Sequence, residues 1–373
     1  MRPLPLLLSA LVFFSALAAR PAPPSFDLKA GRDLLYSARF EEAEKLFLKA
    51  KNSAPDSLLP CFYLAAGQLG KMTYYGEDEN SVSNLEQRVA ACCDLAMKLK
   101  DEEDGMLLLY SGASFLLRAS LEARSEKYAE AMFWAKLALL RFRKAAAFRE
   151  CAADALMLQA AYDHVLGKSP WPLSISLDWI VKSDGAGNEL ALVEEQLSPN
   201  CEFEKEMRIF LIFEYCSLGY PRLAQAHLAE LRKELKGSPF LDIIAIRTEM
   251  SSGNARGAFA SATNLYAKSF SKKAFLPLRS DAAFLTGSAA FALGNIRLSE
   301  GFFERALKAG EAKPRVQAAA QLMLGKCADA RGDREEALRR YALVHIHKGA
   351  SPFLKNLTSK LQRSPGDLSQ TIY

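Results

Sequence analysis

The chain has 373 residues, half of them apolar and 24% charged, enough apolar material to bury a substantial core and too much to leave the chain disordered. A formal net charge of +5 is too mild to point to nucleic acid. Ala, Leu, Glu, Lys and Arg are abundant while Val, Ile and Thr are sparse, a bias toward helix because straight-chain residues lose little rotamer freedom there, so the predicted class is all-α. Met1 and Arg2 begin the chain, Leu4 to Leu17 is an apolar run, and Ala16-Leu17-Ala18 has the small residues a signal peptidase reads. Residues 1–18 are therefore expected to be a signal peptide cleaved after about Ala18, with the mature chain exported to the periplasm or outer cell envelope. The alternative is an uncleaved anchor, but the 17 residues between Arg2 and Arg20 include Pro3 and Pro5 and fall short of the about 20 that a spanning helix needs. Residues 19–25, with Pro21, Pro23 and Pro24, form a stiff non-helical leader. No cysteine stands near the cleavage site, which argues against a lipid anchor.

Export places the seven cysteines, Cys61, Cys92, Cys93, Cys151, Cys201, Cys216 and Cys327, in an oxidising compartment. Their odd number, their irregular spacing and the absence of Cys-x-x-Cys favour packing cysteines, most of them unpaired, over a disulfide framework.

From Phe26 to Pro55 the chain reads as a helical hairpin. Ala30-Gly31 permits a close approach on the first helix, and Ala43, Phe47, Ala50 and Pro55 follow Gly31 at +12, +16, +19 and +24. Helices are predicted after Pro60 toward Tyr74-Tyr75, over 82–99, from Met106 to Arg124 with Gly112 on its contact face, from Tyr128 to Arg149 with Ala131, Ala135 and Ala138 as small packing positions, and from Cys151 to Leu166. Residues 26–166 form this amino-terminal block of hairpins. Ser169-Pro170-Trp171-Pro172 and Asp184-Gly185-Ala186-Gly187 cannot continue a helix. Residues 167–200 are thus an irregular crossing with one short helix near 177–182, and Trp171 either plugs the junction or faces a ligand.

Over 201–348 a pattern repeats. Gly219, Gly253, Gly294 and Gly332 each stand between two helical runs, with the small residues Ala224, Ala258, Ser299 and Ala337 five places on. Glycine can end a helix in the left-handed conformation, and Asn254, Asn295 and Asp333 directly after it can cap the next. Pro221 serves the same end at the first helical position, and Asp333 with Glu336 has capping-box spacing. Leu228, Phe303 and Tyr341, nine residues beyond their glycines, are the interhelical wedges. Thr286-Gly287 and Leu324-Gly325 supply the tight contact seven residues before the turn. Residues 349–373 are a capping helix near Phe353 to Leu361 and a polar tail from Ser364.

These residues resemble the tetratricopeptide repeat superfamily, specifically over about 26–55 and 207–345 and loosely between. The layout is similar to exported bacterial tetratricopeptide proteins. The resemblance implies a right-handed α-solenoid of antiparallel helix pairs, a superhelix whose concave groove binds partner proteins or peptides, and it implies no catalytic residues and no cofactor. The position after the tight contact gives Arg32, Phe213, Arg247, Ser288 and Lys326 as candidate groove residues. Three of the five are basic, which suits acidic or carboxylate-bearing segments.

Chemical motifs are wanting. Gly167-Lys168-Ser169 lacks the earlier glycine of a phosphate loop, since Tyr162 stands there. His164, His227, His345 and His347 form no ligand set, no Gly-x-Ser-x-Gly occurs, no carboxylate pair stands out from helix-surface charge, and Asp101 to Asp104 lacks calcium-loop spacing. Arg141, Arg143, Lys144 and Arg149, interleaved with Phe142 and Phe148, read first as a solvated helix face. The alternative reading is a peripheral envelope component that binds anionic lipid or cell-wall polymer through them.

Overall fold

The computed structural model describes residues 28–99, 104–167, 189–310 and 313–364. The predicted signal segment, the leader, Trp171, the short helix near 177–182 and most of the polar tail lie outside the described residues. The described chain falls into two compact units. One unit comprises residues 28–70 and 79–211; the other comprises 71–78 and 212 onward.

Every regular element among the described residues is helical. In chain order these are α1 (Leu28–Tyr36), α2 (Phe40–Ser53), α3 (Leu58–Tyr75), α4 (Glu79–Lys98), α5 (Gly105–Arg124), α6 (Tyr128–Ala145), α7 (Ala152–Gly167), α8 (Glu189–Gln196) and α9 (Glu204–Leu218). They continue as α10 (Pro221–Glu234), α11 (Pro239–Ser251), α12 (Ala255–Ser271), a 3-10 turn (Lys273–Leu278), α13 (Arg279–Ala292), α14 (Ile296–Lys308), α15 (Pro314–Ala330), α16 (Arg334–Ile346) and α17 (Pro352–Arg363). Among the described residues the predicted helices are present with two adjustments: α6 stops at Ala145, short of Arg149, and α8 forms inside the stretch read as an irregular crossing.

Hairpins recur because one crossing recurs. At Gly31 an added Cβ would collide with the ring of Phe47, at Gly287 it would lie 2.8 Å from the ring of Phe303, and at Gly325 it would collide with the ring of Tyr341. In each case the aromatic stands sixteen residues after the glycine and is buried. Gly112 meets Phe142 in the same way, but thirty residues away. The difference is one heptad added to each of α5 and α6. Seven residues make about two turns and return a side chain to within roughly 20° of its starting direction, so longer helices keep the same crossing. Where the glycine is replaced by Ile246, the wedge position holds Ala262, and both are buried. Bulk has moved from one helix to the other at constant volume.

The turns follow from the same register. Gly219, Gly253, Gly294 and Gly332 have φ of +81, +75, +77 and +81, with open space where a Cβ would stand. Backbone conformation alone requires glycine there. Ala38 and Glu126 take the equivalent place in the first hairpin and in the α5–α6 hairpin, at φ 58 and 60. Asn254, Asn295 and Asp333 accept from the backbone N–H of Gly257, Leu298 and Glu336, as the sequence predicts. The capping box is half-formed, because the Glu336 carboxylate takes Arg339 and Arg340.

Within the unit that starts at residue 28, α1 packs on α2, and α4 to α8 pack each on the next. Within the other, α10 to α17 do the same, and α11, α13, α15 and α17 also touch in sequence. That second set of contacts makes this part of the chain a solenoid. Val316, Met323 and Cys327 pack against Phe303 and Ala306 of the preceding hairpin. Leu354, Leu357 and Leu361 of α17 pack in one apolar cluster with Leu322, Tyr341 and Val344. All seven cysteines are free, and five are buried as packing residues.

Candidate functional site

The five groove candidates divide between the two units, Arg32 in one and Phe213, Arg247, Ser288 and Lys326 in the other. They do not form one solvent-facing set. Arg32, Ser288 and Lys326 are 6%, 1% and 2% exposed. Only Phe213 and Arg247 remain partly exposed. The position after a tight crossing packs against the neighbouring helix, which is why these side chains are covered. Lys326 directs its ammonium over Phe291, 5.6 Å from the ring centre.

Arg32 enters a polar cluster that the sequence conceals. Asp154, in the first turn of α7, accepts the backbone N–H of Glu202 and Phe203 at 2.9 and 2.7 Å and so caps the start of α9 from a distant helix. That fixes Glu202, in the turn before α9, and Glu206, in its first turn. Opposite them stand Arg32 and Tyr36, four apart on α1. The Tyr36 hydroxyl donates to Glu206 at 2.5 Å, that of Tyr110 donates to Glu202, and the Tyr63 and Tyr110 hydroxyls are 2.7 Å apart. Arg32 Nη1 lies 3.5 Å from the Glu202 carbonyl oxygen.

Burial dominates the electrostatics of this cluster. It lifts the Glu206 carboxyl to about 8 against the pull of Arg32 and Tyr36, and the Glu202 carboxyl to about 7 against the pull of Tyr110 and Arg32. Asp154 rises to about 6 for the same reason, although its two backbone donors hold it down. Burial works against the Arg32 charge, but Glu206 and its neighbours hold the guanidinium above its ordinary value. One oxygen of each glutamate, Oε2, has no hydrogen-bond partner among the described residues. With one guanidinium for three acids, burial holds all three carboxyls above the ordinary carboxylate range. The sequence leaves Glu202 and Glu206 among helix-surface charges; their burial is tertiary and has no local signal.

Arg247 belongs to a second cluster, in the other unit. Lys313, at the start of α15, places its ammonium 2.6 Å from Asp281 of α13, and Arg315 lies 3.6 Å from the other oxygen of that carboxylate. Arg315 also donates to the Thr73 carbonyl at 3.3 Å, and Lys313 stands over the Tyr74 ring at 5.9 Å. Burial pushes the Asp281 carboxyl up, but Lys313, Arg315 and Arg247 more than offset it and hold the group below the ordinary carboxylate range. Three cations thus surround one carboxylate, and Arg315 and Arg247 reach solvent. Thr73 and Lys313 are 240 residues apart in sequence, so periodicity could not have joined them.

No group of three or more His, Cys, Asp or Glu side chains with metal-binding geometry occurs among the described residues. No described helix is long and apolar enough to cross a membrane.

These crossings define an all-helical fold of tetratricopeptide-like hairpins. No protein-family profile matches the chain, and no curated protein matches it. Among solved structures, the crystal structure of the P58(IPK) TPR domain is 14% identical over 90% of this chain and 96% of that chain, with a TM-score of 0.28. The fold rests on the repeated crossings and not on that likeness.

Proposed function

We propose that the chain is a non-enzymatic interaction scaffold, exported to the periplasm or outer cell envelope, which holds partner proteins or peptides along a groove of tetratricopeptide type. The observation that carries this reading is the recurrent crossing of glycine and aromatic residue, which leaves the neighbouring positions of successive hairpins to vary. Arg32 and Lys326 are buried, while Arg247 and Arg315 reach solvent. The preference for acidic segments therefore attaches to Arg247 with Arg315, whose guanidinium groups can form charge-assisted bonds to carboxylates.

Affinity capture from envelope extracts tests the reading, with the parent chain and an Arg247→Ala/Arg315→Ala chain compared at low and high salt. A partner retained by the parent, and lost on substitution or at high salt, is expected. Capture that is indifferent to both would remove the acidic-segment reading, and capture no better than that of a control protein would remove the scaffold. Recovery of the intact chain from the cytosol with residues 1–18 attached would contradict export.

A further inference from the structure

Helix α6 carries two apolar faces. Ala131, Ala135, Ala138, Leu139, Phe142 and Ala145 are buried. At about 100° per residue, Phe133, Leu137, Leu140 and Lys144 fall within roughly 40° of one line on the opposite side. Phe133 is 56% exposed and Leu140 44%. Lys136, Arg143 and Lys144 are exposed in or beside the same stripe. Helix α6 itself holds four basic residues, Lys136, Arg141, Arg143 and Lys144, and one acid, Glu130, with Asp163 of α7 near Arg143. A helix packed on a soluble core places its apolar residues on one face, so a second apolar stripe mixed with cations calls for a partner. The Phe133 ring does not fold back on the core: it meets the edge of Trp134 at 5.3 Å, and Trp134 in turn lies under Arg118.

We propose that this outer face of α6 attaches the protein to an anionic lipid bilayer, with Phe133 and Leu140 entering the boundary between headgroups and acyl chains and Lys136, Arg143 and Lys144 meeting lipid phosphates. The combination selects the occupant. A soluble polyanion would use the cations and a sugar face could stack on the phenyl ring, but only a bilayer surface also takes up the aliphatic Leu140 beside them. The structure also changes which aromatics take part, since Phe142 is the buried wedge against Gly112 and Phe133 stands outside in its place. Attachment is independent of partner capture, because it uses a different unit from the Arg247 cluster.

Flotation of the purified chain with vesicles of phosphatidylcholine and phosphatidylglycerol in equal parts, and with vesicles of phosphatidylcholine alone, tests the proposal. The chain is expected to float with the anionic vesicles only and to be released by salt. Phe133→Ser/Leu140→Ser and Lys136→Glu/Lys144→Glu should each lower the bound fraction about tenfold or more, with unfolding midpoints unchanged because these positions lie outside the core. Binding that survives both double changes would assign attachment to the apolar run near the amino terminus and overturn the proposal. So would equal binding to neutral vesicles, a loss on charge reversal with no effect of the serine changes, or self-association abolished by Phe133→Ser.

Discussion

At the scale of single residues, the fold turns on which positions tolerate a Cβ, and for two different reasons. Gly253 and Gly294 have room for a side chain but a left-handed backbone. Alanine at either should cost about 1 kcal/mol, measured by urea unfolding. Glu126 occupies the same conformation with an exposed side chain, so Glu126→Gly should stabilise by about 0.5–1 kcal/mol, and a loss of stability would contradict the turn assignment. Gly287 is the reverse case, an ordinary helical backbone with no room. Gly287→Ala should cost about 1–3 kcal/mol, and Phe303→Leu in the same chain should restore part of it, giving a coupling in a double-mutant cycle. The turn glycines and their caps were legible in sequence because a left-handed residue and a side-chain acceptor leave local marks. Ala38 and Glu126 escaped because nothing local compels a non-glycine residue into that conformation; the surrounding hairpin does so.

At the scale of elements, hairpin length and helix docking are set by features with little local signal. Between residues 55 and 207 the resemblance is loose because the crossing residues Gly112 and Phe142 stand a heptad farther from the turn on each helix than Gly31 and Phe47 do. The docking of α9 against α1 depends on Glu202, Glu206, Arg32 and the three tyrosines, and it carries a pH signature. Both glutamates bind protons more tightly in the folded chain, at about 7 and about 8, than at the ordinary 4.5 of an exposed carboxyl. Their contribution is therefore fully present below about pH 4.5, declines as pH rises through 7 to 8, and levels off above. Urea unfolding from about pH 5 to about pH 9 should show this decline, and Glu206→Gln should flatten it by removing one of the two titrations while keeping an acceptor for Tyr36. An unchanged pH profile in Glu206→Gln would mean that the cluster does not govern the docking of these helices.

At the scale of the whole molecule, composition and repeat spacing sufficed for an all-helical chain of stacked hairpins, because a solenoid is built from local contacts that sequence periodicity reports. The candidate site was less legible. Of the positions one residue past each crossing, Phe213 and Arg247 are partly exposed, whereas packing covers Arg32, Ser288 and Lys326. That reading missed Lys313 and Arg315, which only the stacking of hairpins brings to Asp281. The central proposal is that the partly exposed positions Phe213 and Arg247 contact a partner protein. Photo-crosslinking in intact cells tests it most directly, with a photoreactive residue placed in turn at Phe213, at Arg247 and at the exposed Thr263 of α12 as control. Discrete crosslinked partners from Phe213 and Arg247, and none from Thr263, are the predicted result. No crosslinks from either position, or the same products from all three, would contradict the account.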